Sequence, residues 1–280
     1  MALNKMTQKQ KIFQRQIFIT NEHGSWVFLL SPLLIGLFAG QSWSLDAVIL
    51  VLGALIGFLI RHPITIAVKV LSGRRSKTDL RPAGWAILIY SLVGVLMVGG
   101  LVLRGLSYLL ILAVPGIFVF IWHLYLVYNR AERGQMGIEI VASGVLALTA
   151  PAGYWIGVGG LSGLGWWLWG LTWFQSAASI VYVYLQLTQR EQKQISSVKD
   201  RFLQGWRAAL YSSFNLLAAI LLSIVGIIPT WIFAPYFLQW SETLRGIYFP
   251  AVGVKPTRIG IRQLIISSLF TLLFILAWRI

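Results

Sequence analysis

A single carboxylate lies inside an apolar stretch directly after a short basic loop, and it is the first candidate for chemistry. The segment Tyr128–Gly144 carries Arg130, Glu132 and Arg133 in the loop and Glu139 in the apolar run. An ionisable side chain inside a membrane is costly, so its presence there indicates a function. We expect Glu139 either to pair with Arg130 or Arg133, or to orient a cationic or hydroxylic group in a central cavity.

Glu22 and His23 stand side by side just before the first apolar run. Histidine titrates near neutral pH, so this pair could handle a proton at the membrane interface. The alternative is a helix start, in which Asn21 is the N-cap and the helix dipole favours Glu22. The residue types allow both interpretations.

Arg61 and His62 precede Pro63 where the second apolar run is predicted to end, because proline ends a helix or starts a turn. Arg61 can extend to lipid phosphate at the membrane surface. Alternatively, it joins arginines of neighbouring loops in an anion clamp, since guanidinium matches phosphate with two parallel hydrogen bonds. The predicted anion-binding residues are Glu22, Arg61, His62, Arg74, Arg75, Arg130, Arg133 and Arg190.

The composition predicts a polytopic membrane protein. The chain is 58 % hydrophobic and 11 % charged, whereas a soluble domain has about 25 % charged residues. Cysteine is absent and only three histidines and eight acidic residues occur, so we predict no disulfide, metal site or cofactor. HExxH, GxSxG and Walker A motifs are also missing, which excludes zinc proteases, serine hydrolases and P-loop ATPases.

Nine apolar stretches approach the length of about 20 residues that a membrane span needs. We therefore predict an all-α polytopic membrane bundle in a single domain over residues 1–280. Residues 1–20 of this domain would form a short basic N-terminal tail in the cytoplasm. The predicted spans are Ser25–Gly40, Leu45–Ile60, Gly84–Leu103, Leu109–Tyr128, Met136–Val158, Trp166–Leu187, Ala208–Ile228, Thr230–Gly246 and Ile261–Trp278.

The basic residues predict the orientation of these spans. The chain has 23 Lys and Arg residues, and all but Arg104 and Arg279 lie in the N-terminal tail or in every second connection between spans. These are the connections between spans 2 and 3, 4 and 5, 6 and 7, and 8 and 9. Because cytoplasmic loops are rich in Lys and Arg, the N-terminus is predicted in the cytoplasm and the C-terminus outside. The membrane would be a bacterial cytoplasmic membrane or a thylakoid. Membrane topology also explains the net charge of +15 better than nucleic-acid binding does.

Three motifs resemble the YwiC-like family of bacterial membrane proteins. They are the opening EHGSW at residues 22–26, the Arg61-His62-Pro63 sequence, and NRAERGQMGIE at residues 129–139. The resemblance extends over most of the chain. It implies an integral membrane protein but no particular reaction.

A more distant similarity is to the UbiA-type membrane prenyltransferases, which have nine helices and a cytoplasmic N-terminus. It rests on the first span, on Gly137–Trp155, and on Arg262 with the last span. The resemblance implies a UbiA-like helix arrangement. Those enzymes hold a prenyl diphosphate through magnesium on two Asp-rich motifs, but the equivalent loops here contain only Asp79, and Glu191 with Asp200.

The first functional hypothesis is therefore a protein that binds an isoprenoid, quinone-type or other anionic lipid, including a prenyl diphosphate, on its basic loops. If it also transfers a prenyl group, Glu139 and His23 are the predicted catalytic residues, which handle the proton of the acceptor. A small-anion transporter is an alternative, although it calls for inverted repeats. A non-enzymatic membrane scaffold is another, and a scaffold should tolerate Glu139→Gln.

Overall fold

The computed structural model describes Ile17 and residues 23–132, 134–195 and 197–280. Glu22, Arg133 and the side chain of His23 lie outside the described residues. The described chain is all-helical, as predicted. Its α-helices are α1 (His23–Ala39), α2 (Leu45–Leu71), α3 (Leu80–Leu103), α4 (Ala113–Tyr128), α5 (Met136–Ala147), α6 (Thr149–Val158), α7 (Gly163–Arg190), α8 (Val198–Ile224), α9 (Phe233–Tyr248) and α10 (Pro256–Arg279).

Several of these helices meet the requirements of a membrane span. Within the described residues, six helical stretches are long and apolar enough to cross a bilayer. They are Leu45–Leu71, Lys77–Leu103, Ser107–Tyr128, Met136–Val158, Val198–Ile224 and Pro256–Arg279. The prediction of a multi-pass helical membrane protein is thus confirmed. Helix α7 falls outside the six because it carries a row of buried polar side chains.

The described helices divide into two compact units. Unit 1 spans Ser44–Gln135 and contains α2, α3 and α4, whereas unit 2 spans Gly24–Trp43 and Met136–Ile280 and contains α1 and α5–α10. Each unit is described by itself below.

Helix α2 of unit 1 continues past the proline at which we predicted its end. Pro63 lies inside the helix, which runs on to Leu71. The helix buries the Pro63 side chain together with Ile66 and Val70. This packing offsets the hydrogen bond that proline removes from a helix interior. The predicted helix end at Ile60 is therefore wrong, and Arg61 and His62 are helix-interior residues.

Helix α8 begins ten residues before the predicted Ala208, because a local cap starts it at Val198. The Ser197 hydroxyl accepts a hydrogen bond from the Asp200 backbone N–H at 3.2 Å and donates to the Asp200 carboxylate at 2.7 Å. A serine followed three residues later by an acid is a known helix-start pattern. The basic residues of this segment therefore lie on a helix.

Close packing of α1 on α6 organises unit 2. Gly36 and Gly40 are one turn apart at the end of α1, and Gly153 and Gly157 are one turn apart on α6. A β-carbon on Gly40 would lie 2.6 Å from the Tyr154 carbonyl oxygen, and one on Gly153 would lie 2.8 Å from the Leu37 nitrogen. Small residues at this spacing allow membrane helices to approach backbone to backbone. Both segments therefore need glycine.

The predicted fifth span is interrupted between α5 and α6. The Leu148 N–H bonds to the Val145 carbonyl rather than to Gly144 one residue earlier. The Trp169 indole N–H of α7 donates to the Gly144 carbonyl at 2.9 Å instead. Trp173 stacks on Trp169, with ring centroids 5.1 Å apart. These two tryptophans hold α7 against α5.

The glycine contact predicts a selective loss of stability. In Gly36→Ala the new methyl group would overlap the Ala150 backbone carbonyl, so a backbone shift is required. Such overpacking costs about 1–3 kcal/mol, which lowers the thermal unfolding midpoint of the purified protein in detergent. The control is Gly170→Ala in α7, where a β-carbon meets nothing within 4 Å. An equal midpoint for Gly36→Ala and its parent would contradict the α1–α6 packing.

Candidate functional site

One face of α7 carries buried polar side chains along most of its length. Residues three and four apart share a helix face, so these side chains form one continuous row. The row consists of Thr172, Gln175, Ser176, Ser179, Tyr182, Gln186 and Gln189. Buried polar groups require hydrogen-bond partners, and α9 and α10 supply several of them.

A buried ion pair lies at the centre of this row. The Glu242 side chain on α9 is 7 % exposed and accepts two hydrogen bonds from Arg262 on α10, at 2.6 and 2.7 Å. The Tyr182 hydroxyl of α7 donates to the same carboxylate at 3.0 Å, and Gln186 donates to that hydroxyl at 2.7 Å. This network joins three helices. Removing Arg262 would leave the buried Glu242 charge without its main partner.

The next turn of α9 extends the polar contacts. The Gln239 amide donates to the Gln175 carbonyl at 2.9 Å and to the Ser179 hydroxyl at 3.1 Å. Tyr236, one turn earlier, donates to the Leu171 carbonyl at 2.8 Å. The Gln239 side-chain oxygen is buried without a hydrogen-bond partner among the described residues. Polar contacts between α7 and α9 thus continue over several turns.

The Glu242–Arg262 pair was missed by the sequence analysis. Glu242 was not singled out, and Arg262 was named only for the resemblance of the last span to the prenyltransferases. A signal was present, because Gln239, Glu242 and Thr243 repeat at helical spacing and match the polar spacing of α7. The partner of each residue depends on how the helices pack, which the spacing does not specify.

Glu139 has a neutral partner in the described structure. The Tyr184 hydroxyl of α7 donates to its carboxylate at 2.8 Å, and the Glu139 side chain is exposed. Of the two predicted partners, Arg130 belongs to unit 1 and Arg133 lies outside the described residues. The carboxylate is therefore accessible, and its hydrogen bond comes from a phenol.

Glu132 anchors the basic turn that follows α2. Arg74 donates to its carboxylate at 2.8 Å and also donates to the Val127 carbonyl, while the Lys69 ammonium lies 3.9 Å from the carboxylate. The Glu132 side chain is 9 % exposed. Burial alone would raise the pKa of Glu132, but its own backbone N–H, the Arg74 hydrogen bond and both positive charges hold that pKa below its usual value. The pair ties the turn after α2 to the end of α4.

The other predicted anion ligands of unit 1 do not form one clamp with Arg61. The Arg61 guanidinium lies 4.5 Å above the Phe58 ring, and its Nε donates to the Phe58 carbonyl at 3.4 Å. Arg61 precedes Leu71 by ten residues, which is about 15 Å along a helix axis. Arg75 forms an ion pair with Asp79 at 3.7 Å.

The remaining predicted residues are distributed over both units. His62 is half-buried beside Arg61, and Arg130 is exposed in a left-handed conformation directly after α4, with φ of 60°. Arg190 ends α7 in unit 2, where its carbonyl accepts from the Gly253 N–H at 3.1 Å. His23 begins α1.

One open, shallow face at the start of α3 combines basic and apolar side chains. It consists of Lys77, Leu80, Arg81, Gly84, Trp85 and Leu88, and is called the α3 groove below. Lys77 and Arg81 lie at its N-terminal end, and Trp85 and Leu88 follow one and two turns later. This arrangement suits an anionic head and an apolar chain. Among the described residues, no cluster of three His, Asp or Glu side chains is placed to hold a metal ion.

The lowered pKa of Glu132 predicts a pH-dependent stability. A carboxyl whose pKa is depressed by folding stabilises the protein above its usual pKa, and this contribution disappears as the pH falls through the lower folded value. We expect Glu132→Gln to lower the thermal midpoint near neutral pH, and we expect this difference from the parent to shrink as the pH falls below the usual carboxyl pKa of about 4.3. Glu191→Gln, an exposed glutamate, is the control. A constant offset between Glu132→Gln and the parent across this range would contradict the depressed pKa.

The Glu242–Arg262 pair predicts strong coupling in a double-mutant cycle. Arg262→Gln alone should cost about 3–5 kcal/mol of unfolding free energy, because the Glu242 carboxylate that remains is buried. Glu242→Gln should cost less, because the Arg262 guanidinium that remains is 38 % exposed. The double variant should cost less than the two single variants together. The comparison is the Asp46–Arg104 pair, whose Arg104 side chain is 45 % exposed; an exposed pair contributes about 0–1 kcal/mol. Additive losses at Glu242 and Arg262 would contradict the buried contact.

Comparison with known proteins supports the motif-based family prediction. A family of YwiC-like proteins matches residues 19–154, which include all three motifs, the α3 groove and Glu139. A relative from Bacillus subtilis (strain 168), uncharacterized protein YwiC, is 25 % identical over 260 residues, covering 90 % of this chain and 94 % of the relative. No solved structure matches. The chain is thus similar to a YwiC-like protein along most of its length, which confirms the resemblance predicted from its motifs.

Proposed function

We propose that this protein binds an isoprenoid, quinone-type or other anionic lipid in a UbiA-like helical bundle. The observation that carries the proposal is the α3 groove, which has two cationic side chains at one end and exposed apolar side chains along its length. The lipid head would bind Lys77 and Arg81. Its chain would lie along Trp85 and Leu88.

The electrostatics of the groove favour an anionic head. Lys77 and Arg81 are both exposed and are four residues apart, a spacing at which helical side chains are neighbours. Lys77 lies in the short 3-10 turn Lys77–Asp79 that leads into α3, and Arg81 lies in the first turn of α3, where the positive end of the helix dipole also attracts anions. Because two positive side chains lie in one region, a head with a net negative charge would bind better than a zwitterionic one.

The apolar part of the groove favours a lipid over a free anion. The Trp85 and Leu88 side chains are 46 % and 58 % exposed on a helix that is apolar enough to span a membrane. Tryptophan is enriched at the membrane interface, with its ring at the level of the headgroups. An amphipathic ligand therefore matches the order of residues along α3.

The neighbouring arginines support the groove by positioning its surroundings. Arg74 is held by Glu132 and the Val127 carbonyl, and Arg75 is paired with Asp79 at the start of α3. These contacts fix the turn that presents Lys77. We therefore assign Arg74 and Arg75 a positioning role, and Lys77 and Arg81 direct contact with the ligand.

The same proposal places the basic end of α3 at the cytoplasmic face of a bacterial membrane. With the N-terminus in the cytoplasm, alternate connections that carry most of the Lys and Arg face the same compartment. The lipid head would then be reached from the cytoplasmic leaflet.

Lipid binding can be tested by native mass spectrometry of the detergent-purified protein titrated with phosphatidylglycerol or phosphatidylcholine. The parent should retain more phosphatidylglycerol, and Lys77→Gln/Arg81→Gln should weaken that binding about tenfold, since two charge-assisted contacts are lost. Lys193→Gln removes an exposed positive charge elsewhere and is the control. Equal affinity of the double variant and the parent would contradict the α3 groove as the binding site.

Prenyl transfer is the second candidate function, and the environment of Glu139 favours it. This carboxylate is exposed at the start of an apolar helix and is bonded to a phenol, so it can accept a proton from a hydroxyl-bearing acceptor. His23 is the other proposed proton-handling residue. In the loops that resemble the magnesium-binding segments, Asp79 is paired with Arg75 and Asp200 is bonded to Ser197. Any diphosphate would thus be held by Lys and Arg.

Prenyl transfer can be tested by comparing lipid extracts of a deletion strain, its parent and complemented strains by mass spectrometry. A prenylated species should be missing from the deletion strain while its precursor accumulates. The parent gene and Glu191→Gln should restore the profile, whereas Glu139→Gln should not. An unchanged profile in the deletion strain would contradict prenyl transfer and favour a scaffold or a small-anion transporter.

A further inference from the structure

Three arginines lie where α9 ends and α10 begins, and two of them contact one buried carboxylate. Arg262 binds Glu242 through two hydrogen bonds, and an Arg245 guanidinium nitrogen lies 4.0 Å from the same carboxylate. Arg258 precedes Arg262 by one turn on α10. Side chains at this spacing are neighbours on one helix face.

The charges of this cluster do not balance. Glu242 is the carboxylate that contacts the arginines in the described structure, so the cluster keeps an excess of positive charge. The excess is accessible, because the Arg245 and Arg262 side chains are 52 % and 38 % exposed and Arg258 is exposed. An unbalanced cluster next to an apolar span attracts anions.

The start of α10 adds to this attraction. This helix begins at Pro256 and runs to Arg279, so its positive dipole end lies beside Arg258. Proline at the first position lacks an N–H, but the following backbone N–H groups of the first turn have no partner within the helix. Helix N-termini of this kind favour phosphate groups.

Glu242 also fixes the orientation of the Arg262 guanidinium group. Its carboxylate holds Nε and one terminal nitrogen of Arg262, and Tyr182 and Gln186 hold the carboxylate in turn. The other terminal nitrogen of Arg262 is thereby presented in a fixed position. Side chains that are ordered before binding lose less entropy when a ligand arrives.

We propose that Arg245, Arg258 and Arg262 form a binding site for a phosphate-class anion in unit 2, with Glu242 and Tyr182 as positioning residues. Arginine suits this role because its planar guanidinium matches phosphate oxygens. The anion is either a free phosphate or diphosphate, or the head of a phospholipid. The site shares no residue with the α3 groove, so it does not depend on the function proposed above.

The test uses the full protein in phosphatidylcholine nanodiscs, titrated with inorganic pyrophosphate in an isothermal calorimeter. The parent should bind, and Arg245→Gln/Arg258→Gln should weaken binding at least about tenfold. This variant keeps the Glu242–Arg262 pair, so folding is preserved, which an unchanged elution volume on size-exclusion chromatography would verify. Lys193→Gln/Lys199→Gln removes the same charge from exposed positions of unit 2 and should bind as the parent does.

A second arm distinguishes a free anion from a lipid head. If pyrophosphate does not bind but Arg245→Gln/Arg258→Gln retains less phosphatidylglycerol than its control in native mass spectrometry, the ligand is a headgroup. If neither probe separates the arginine variant from its lysine control, the proposal is overturned. The phosphatidylglycerol titration of Lys77→Gln/Arg81→Gln tests the α3 groove by itself, so failure of one proposed site is distinguishable from failure of the other.

Discussion

The structure depends on the requirement that charged and polar groups in an apolar bundle find partners inside the protein. Four acidic side chains of the described chain meet an arginine, in pairs that join helices or fix a turn. The pairs are Asp46 with Arg104, Asp79 with Arg75, Glu132 with Arg74, and Glu242 with Arg262. The same requirement explains why the Trp169 indole N–H donates to the Gly144 carbonyl. In a regular helix that carbonyl would accept from the Leu148 N–H, which here donates to the Val145 carbonyl. Satisfied polar groups thus determine how the helices of each unit pack.

Glu139 differs from these acids because the contact described for it is a tyrosine hydroxyl. The paired acids join helices or fix a turn through an ion pair, whereas no ion pair is described for the exposed Glu139 carboxylate. It is therefore the acid most suited to chemistry on a ligand, whereas the arginines nearest to Glu132 and Glu242 are partly committed to structure. Lys77 and Arg81, and the arginines at the start of α10, remain the cations best placed to meet an anion from outside.

Much of the fold could be predicted from the sequence, because apolar length and the distribution of Lys and Arg are local properties. Each predicted span overlaps a helix of the structure. The extension of α2 through Pro63 was not predictable, since burial of that face outweighs the local tendency of proline to end a helix. Glu242 and Arg262 are 20 residues apart in sequence and lie on different helices, so their pairing depends on how those helices pack. The spacing of polar residues shows which helix face they share, but not which helix that face contacts. Glu139 was identified correctly as an unusual acid, although its tyrosine partner was not.

The central claim is that the basic end of α3 selects an anionic lipid. The most direct measurement is the composition of the lipids that copurify with the parent protein and with Lys77→Gln/Arg81→Gln, each compared with the membranes from which it was extracted. The account predicts that one anionic lipid is enriched with the parent over its abundance in the membrane, and that this enrichment is lost in the variant. Copurified lipids that match the bulk membrane in both proteins would contradict it.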